Sequence, residues 1–256
     1  MKKHLTKLFY LALIVLFSQN VYAQTDSLSV NKGGKNLINV SLTSLLLNNF
    51  SFTYERAVAK KISVGLGLRF MPEGQVPFLN KFEAIIDDED TFDKLKDLKT
   101  GNIAITPEVK FYFGKGVFRG FYIAPFARYA KYTADLPTFE YEYDHPVDGP
   151  TTTTIPLNGE LKTLTGGVLF GAQWKLSKLV YLNWSILGPQ YGTSKGFLKG
   201  TKTLSAEEQD ALRDELEDLE LPIVETTTTV NSSGARMDIK GPWASARASV
   251  GLSFRF

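Results

Sequence analysis

The last residues of the chain alternate without a break. Phe256, Phe254, Leu252, Val250 and Ala248 share one face of an extended strand, while Arg255, Ser253, Gly251, Ser249 and Arg247 share the other. Bulky apolar groups opposite Gly, Ser and Arg suit a strand with lipid on one side and a narrow polar lumen on the other. Read with the same period of two, the chain predicts eight strands. The first, 37–47, sets Ile38, Val40, Leu42 and Leu46 against Asn39, Ser41 and Thr43. The second sets Phe50, Phe52 and Tyr54 against Ser51, Thr53 and Glu55, and the third sets Ile62, Val64, Leu66, Leu68 and Phe70 against Ser63, Gly65, Gly67 and Arg69. The fourth opposes Ile103, Ile105, Pro107, Val109, Phe111 and Phe113 to Ala104, Thr106, Glu108, Lys110 and Tyr112. The fifth, 120–132, is aromatic on both faces, and Arg128 points Phe121, Ile123, Ala127 and Tyr129 outward. The sixth turns Val168, Phe170, Ala172 and Trp174 outward against Thr165, Gly167, Gly171 and Gln173. The seventh turns Val180, Leu182, Trp184 and Ile186 outward against Tyr181, Asn183 and Ser185, and the eighth runs from about Trp243 to the end.

The connections supply a second, independent pattern. Those after even strands, 57–60, 114–119 and 176–178, are short. Those after odd strands are Asn48-Asn49, 71–101, 133–159 and 188–242, three of them long. Short turns beside both termini and long loops at the other end are the asymmetry of bacterial outer-membrane barrels, with the long loops outside the cell. Within the loops, 82–98 and 205–219 predict amphipathic helices, the second opened by a capping box of Ser205 and Glu208. Residues 151–155 opposite 139–143, and 223–230 before Asn231-Ser232-Ser233-Gly234, predict hairpin arms that extend the barrel. Counted as wall strands, the arms would raise the number to ten.

The N-terminus agrees with export. Lys2, Lys3 and Lys7 precede an apolar run, Leu8 to Phe17, and Val21-Tyr22-Ala23 offers a signal-peptidase site that leaves Gln24 as the new N-terminus. The chain thus divides into a signal peptide over 1–23, a flexible periplasmic leader over 24–36 and a barrel over 37–256. The apolar run is shorter than the roughly 20 residues that a membrane-spanning helix needs. Without cysteine, the chain carries neither a lipoprotein anchor nor a disulfide. Removing the signal leaves 26 basic against 27 acidic residues, so no clustered basic surface points to nucleic acid.

The Tyr22-Ala23-Gln24 processing site, the eight alternating strands and the Val250-Gly251-Leu252-Ser253-Phe254-Arg255-Phe256 terminus resemble the small, uncharacterised outer-membrane β-barrel proteins common in Bacteroidota. More distantly they resemble the transmembrane domain of outer-membrane-protein A. The resemblance implies an all-β, eight-stranded antiparallel up-and-down barrel in the bacterial outer membrane, with Phe254 and Phe256 as the assembly signal. It implies contact with outer-membrane lipid and lipopolysaccharide, and with the barrel-assembly machinery during biogenesis. It transfers no catalytic residue.

Candidate chemistry is sparse. A soluble lipocalin-like barrel would need a charged exterior and a bulky apolar interior, the reverse of these faces. A lipid-modifying enzyme would need a base beside a nucleophile, and past the signal the chain holds one histidine, His145, in the turn-like Asp144-His145-Pro146. Asp87, Asp88, Glu89 and Asp90, with Asp93, could hold a divalent cation but lack the spacing and Gly of an EF-hand loop, and read as a solvated face. Neither a metal nor a cofactor is expected. Glu55, Arg69, Glu108, Lys110, Arg128, Arg247 and Arg255 all fall on the lumenal face, where paired charges would plug a narrow interior. The expected role is structural or interactive, through extracellular loops and an unidentified extracellular or envelope protein. A small-solute pore and a lipid-modifying enzyme are the alternatives.

Deleting Phe256 should block membrane insertion while leaving export intact. Fractionation should find the truncated protein in the periplasm or degraded; normal outer-membrane levels with the parental gel shift would contradict the reading of the last strand.

Overall fold

The computed structural model describes residues 34–75, 77, 96–217 and 223–256. The signal peptide, the leader to residue 33, most of the 82–98 helix and the acidic residues Asp87, Asp88, Glu89, Asp90 and Asp93 lie outside the described residues. The described elements are β1 (Asn36–Ser41), α1 (Leu42–Leu46), β2 (Phe50–Ala59), β3 (Ile62–Gln75), β4 (Lys99–Tyr112), β5 (Gly120–His145), β6 (Gly149–Lys175), β7 (Val180–Thr201), α2 (Ala206–Glu217), β8 (Glu225–Asn231) and β9 (Gly234–Arg255).

Every pairing is antiparallel, and each strand from β1 to β7 bonds to its neighbour in sequence. β9 pairs with β7 on one edge and with β1 on the other, from Leu37↔Arg255 to Ser41↔Gly251, which closes the sheet into a ring. Beyond that register Asn36 and Phe256 exchange backbone hydrogen bonds of 3.0 and 2.9 Å. β8 pairs with β9 alone among the described strands and hangs beside the ring. The sheet therefore has nine strands where the sequence predicts eight, because the 223–230 arm joins it.

The faces are inverted relative to a soluble protein. Outward Leu68, Ile103 and Phe121 are 54%, 55% and 63% exposed, whereas inward Glu55, Gln173 and Ser253 are fully buried. The predicted alternation of β2, β3, β4 and the beginning of β5 is what the pairing register places on the two faces. Ala172 is the exception on β6: it lies in line with Phe170 and Trp174 but is buried.

Several boundaries differ from the sequence reading, for physical reasons. The first strand stops at Ser41, not residue 47, because the Ser41 hydroxyl accepts the Ser44 N–H at 3.3 Å and caps α1. Leu42 and Leu46 are therefore helical, and the link to β2 spans 42–49 rather than Asn48-Asn49 alone. The barrel wall begins at Asn36, inside the expected leader. The stretches read as loops over 133–159 and 188–242 are largely strand, since β5 and β6 run to His145 and Gly149, β7 to Thr201 and β9 from Gly234. β-bulges hide this continuity. The register shifts between Leu136 and Phe139 on β5, between Met71 and Gly74 on β3, and between Ser185 and Gly188 on β7. One extra residue swaps the two faces, so the period-two pattern breaks phase while the strand continues. The predicted pairing of 139–143 with 151–155 is present, from Phe139↔Ile155 to Tyr143↔Thr151.

α2 lies against the tall side of this sheet. Ser205 accepts the Glu208 N–H at 3.2 Å while the Glu208 carboxylate accepts the Ser205 N–H at 2.8 Å, the reciprocal capping box. The helix ends at Glu217 among the described residues and buries Leu212 and Leu216 against Tyr141, Ile155, Leu157 and Met237. Lys202 fastens its first turn, bonding Glu208 at 2.9 Å, Thr153 at 2.7 Å and Tyr141 at 3.2 Å. Burial works against the ionised Glu208 carboxyl, but the Ser205 N–H and the Lys202 ammonium outweigh it and hold it below the usual carboxylate range.

A carboxyl with a depressed folded pKa stabilises the fold above its unfolded value, about 4.3, and loses that contribution as pH falls through the folded value. NMR shifts of α2 should therefore report loosening on acidification below about pH 4.3, and Glu208→Gln should shrink that step. An unchanged acid transition in the variant would contradict the anchor.

Candidate functional site

The lumen is filled from its base upward by side chains that the alternation of β2 to β9 points inward. At its centre lies Glu55, fully buried on β2. Its carboxylate accepts from Lys110 Nζ at 2.8 Å and, through short hydrogen bonds, from the Ser63 and Tyr112 hydroxyls. The Tyr112 oxygen also lies 2.8 Å from the side-chain oxygen of Gln173. Lys110 sits 4.8 Å from the centre of the Tyr122 ring and 3.4 Å from Glu108. The Tyr122 hydroxyl reaches Asn183 at 3.2 Å, and on the opposite wall Ser253 donates to Asn39 at 2.9 Å. The ring lies so close to β6 that a Cβ at Gly171 would collide with the Tyr122 phenol, which is why that inner position is glycine.

The charges expected to form one network fall into three layers. Glu55, Lys110 and Glu108 form the middle one. Arg255 is separate at the base, where its guanidinium donates to Gly34 O at 2.7 Å and Tyr181 at 3.1 Å and lies 5.3 Å from the Phe118 ring. Phe118 is a stopper that the sequence reading missed. It comes from the turn between β4 and β5, takes a left-handed φ of 66°, and is fully buried against Tyr112 with ring centroids 6.2 Å apart.

Arg69, Arg128 and Arg247 form the third layer, on the side toward α2. Arg128 donates to Thr106 at 3.1 Å, and Arg247 stacks 4.7 Å from the Phe126 ring with Glu108 at 3.9 Å. The three guanidiniums are near enough to repel one another, and Tyr132 interacts with both Arg69 and Arg128. Beyond them the lumen widens into a cavity of about 600 Å³, lined by Met71, Tyr132, Leu161, Leu198, Ile239 and Trp243 among others. Tyr132 and Trp243 face each other across it with ring centroids 5.6 Å apart.

His145 does not join this site. His145 closes the β5–β6 hairpin, where its Nδ1 accepts the Asp148 N–H at 3.2 Å. No group of three or more His, Cys, Asp or Glu residues suited to a metal occurs among the described residues.

A closed antiparallel barrel with buried polar side chains bonded across its middle and an apolar outer face is the class that fold and site define. The chain belongs to the DUF3575 family, a protein family of unknown function, whose family model matches residues 9–195. Among solved structures the chain is similar to the N-terminal β-barrel domain of Pseudomonas aeruginosa OprF, at 7% identity over 88% of this chain and 100% of that one, with a TM-score of 0.26. No curated protein matches it.

Glu55→Gln or Lys110→Met alone should cost about 3–5 kcal/mol, since each strands a buried partner. The double variant should cost far less than the sum of the two. Unfolding titrations of all three variants check this, and additive losses would remove the pair from its central role.

Proposed function

We propose that this protein is an eight-stranded outer-membrane barrel with a closed lumen, acting as a structural or interaction protein through the part of the sheet that rises beyond the membrane. One observation carries the reading: apolar side chains cover the outside of the ring while polar ones are buried and bonded inside it. A wall of this kind is stable in hydrocarbon and costly in water. Crossing a bilayer takes roughly 9–11 residues per strand. β5, β6, β7 and β9 have 26, 27, 22 and 22, so their surplus extends to one side with α2 and β8. β8 ends the sheet, and among the described strands only β9 pairs with it, which suits its far edge to strand addition by an envelope or extracellular partner. Signal cleavage after Ala23 and contact with lipopolysaccharide belong to the same reading. No catalytic role is assigned to His145, which serves the hairpin turn.

The middle layer and the Phe118 stopper favour a scaffold over a pore. Planar-bilayer recordings of the purified protein should show no stable openings. Reproducible openings whose ion selectivity changes with Glu108→Gln or Arg128→Gln would put the pore reading first.

A further inference from the structure

The cationic layer below the cavity lacks the negative charge it needs. Among the described residues the buried carboxylates are Glu55 and Glu108, against Lys110, Arg69, Arg128 and Arg247, while Glu160 of the cavity lining is held by Lys131 and Lys162. Glu55 and Lys110 satisfy each other, and Glu108 is shared between Lys110 and Arg247. Arg69 Nε, Arg128 Nε and Arg247 Nη1 are buried with no hydrogen-bond partner among the described residues. Guanidinium N–H groups left without an acceptor in so confined a space are costly unless an anion meets them. On the inner face the neighbouring position beyond Arg69 is Met71, and the Tyr132 phenol spans from the arginines to the cavity wall. The wall is almost wholly apolar, and about 600 Å³ is within the range of small-ligand pockets, roughly 300–1,000 Å³.

We propose that the cavity and the arginine layer together form a binding site for a single-chain amphiphile with an anionic head. The hydrocarbon chain lies along Met71, Tyr132, Leu161, Leu198, Ile239 and Trp243. The head, a carboxylate or a phosphate monoester, accepts the unpartnered N–H groups of Arg69, Arg128 and Arg247. A neutral chain would leave these N–H groups without an acceptor, and a small inorganic anion would leave the apolar wall to water. The site needs only the lumen, so it does not depend on which partner the outer part of the sheet meets.

The test uses the full chain in lipid nanodiscs with Trp174→Phe and Trp184→Phe, which leaves Trp243 as the sole indole of three. Brominated dodecanoate should quench Trp243 saturably, and dodecyl phosphate should compete; the ratio of the two affinities separates a carboxylate from a phosphate ligand. Arg128→Gln and Arg247→Gln should each weaken binding roughly tenfold or more, as loss of a charge-assisted hydrogen bond would. Heat-modified gel mobility shows which variants remain folded, and Leu161→Trp, measured by displacement of radiolabelled dodecanoate, blocks the cavity without touching the arginines. Equal binding of brominated dodecanol overturns the proposal. So does affinity indifferent to both arginine variants, full competition by inorganic phosphate at the same concentration, or no saturable binding.

Discussion

The buried carboxylate of Glu55 is the contact on which the ring depends. A barrel that turns most of its apolar side chains outward keeps only a small aromatic cluster inside, around Phe118, Tyr122 and Tyr181, so much of the cohesion across the lumen comes from polar groups that satisfy one another. Glu55 draws Ser63 from β3, Lys110 and Tyr112 from β4, and Gln173 of β6 through Tyr112. Inside a low-dielectric interior such a network is strong when complete and costly when one member is missing. That asymmetry favours the register in which every member of the network is bonded.

The lumen changes character along its axis. Phe118, Tyr112 and Tyr181 close the base with aromatic rings beneath Arg255. The middle is hydrogen-bonded and full, and the cavity beyond the arginines is the opposite, apolar and open enough to admit a chain. On the tall side the sheet becomes a support for α2, whose Leu212 and Leu216 make a second small core with Ile155, Leu157 and Met237. One continuous set of strands thus serves two environments: a ring below and a helix-bearing sheet above.

Much of the ring is legible in the sequence because period-two alternation survives wherever both faces have strict demands, as in Ile103 to Tyr112 and Val250 to Phe256. The capping box at Ser205 and Glu208 is equally local and equally legible. What alternation does not carry is phase. The bulge between Leu136 and Phe139 exchanges the faces of β5, so its outer half reads as a separate hairpin arm within a loop although one strand runs on to His145. Leu42–Leu46 fits a strand and a helix alike until Ser41 is seen to cap it. The face pattern names the side on which each charge is expected but not its height, which depends on register; hence Arg255 lies apart at the base and Glu55 at the centre of the middle layer. Phe118 was out of reach because a positive φ in a turn, not a periodicity, folds it inward.

Collisional accessibility of nitroxides tests the inverted wall most directly, and the cysteine-free chain permits single-site labelling without background. Labels at Leu66, Ile105 and Phe170 in a lipid bilayer should collide more often with dissolved oxygen than with a water-soluble nickel chelate. A chelate preference at these positions would mean that the outer face meets water, and the membrane reading of the ring would fail.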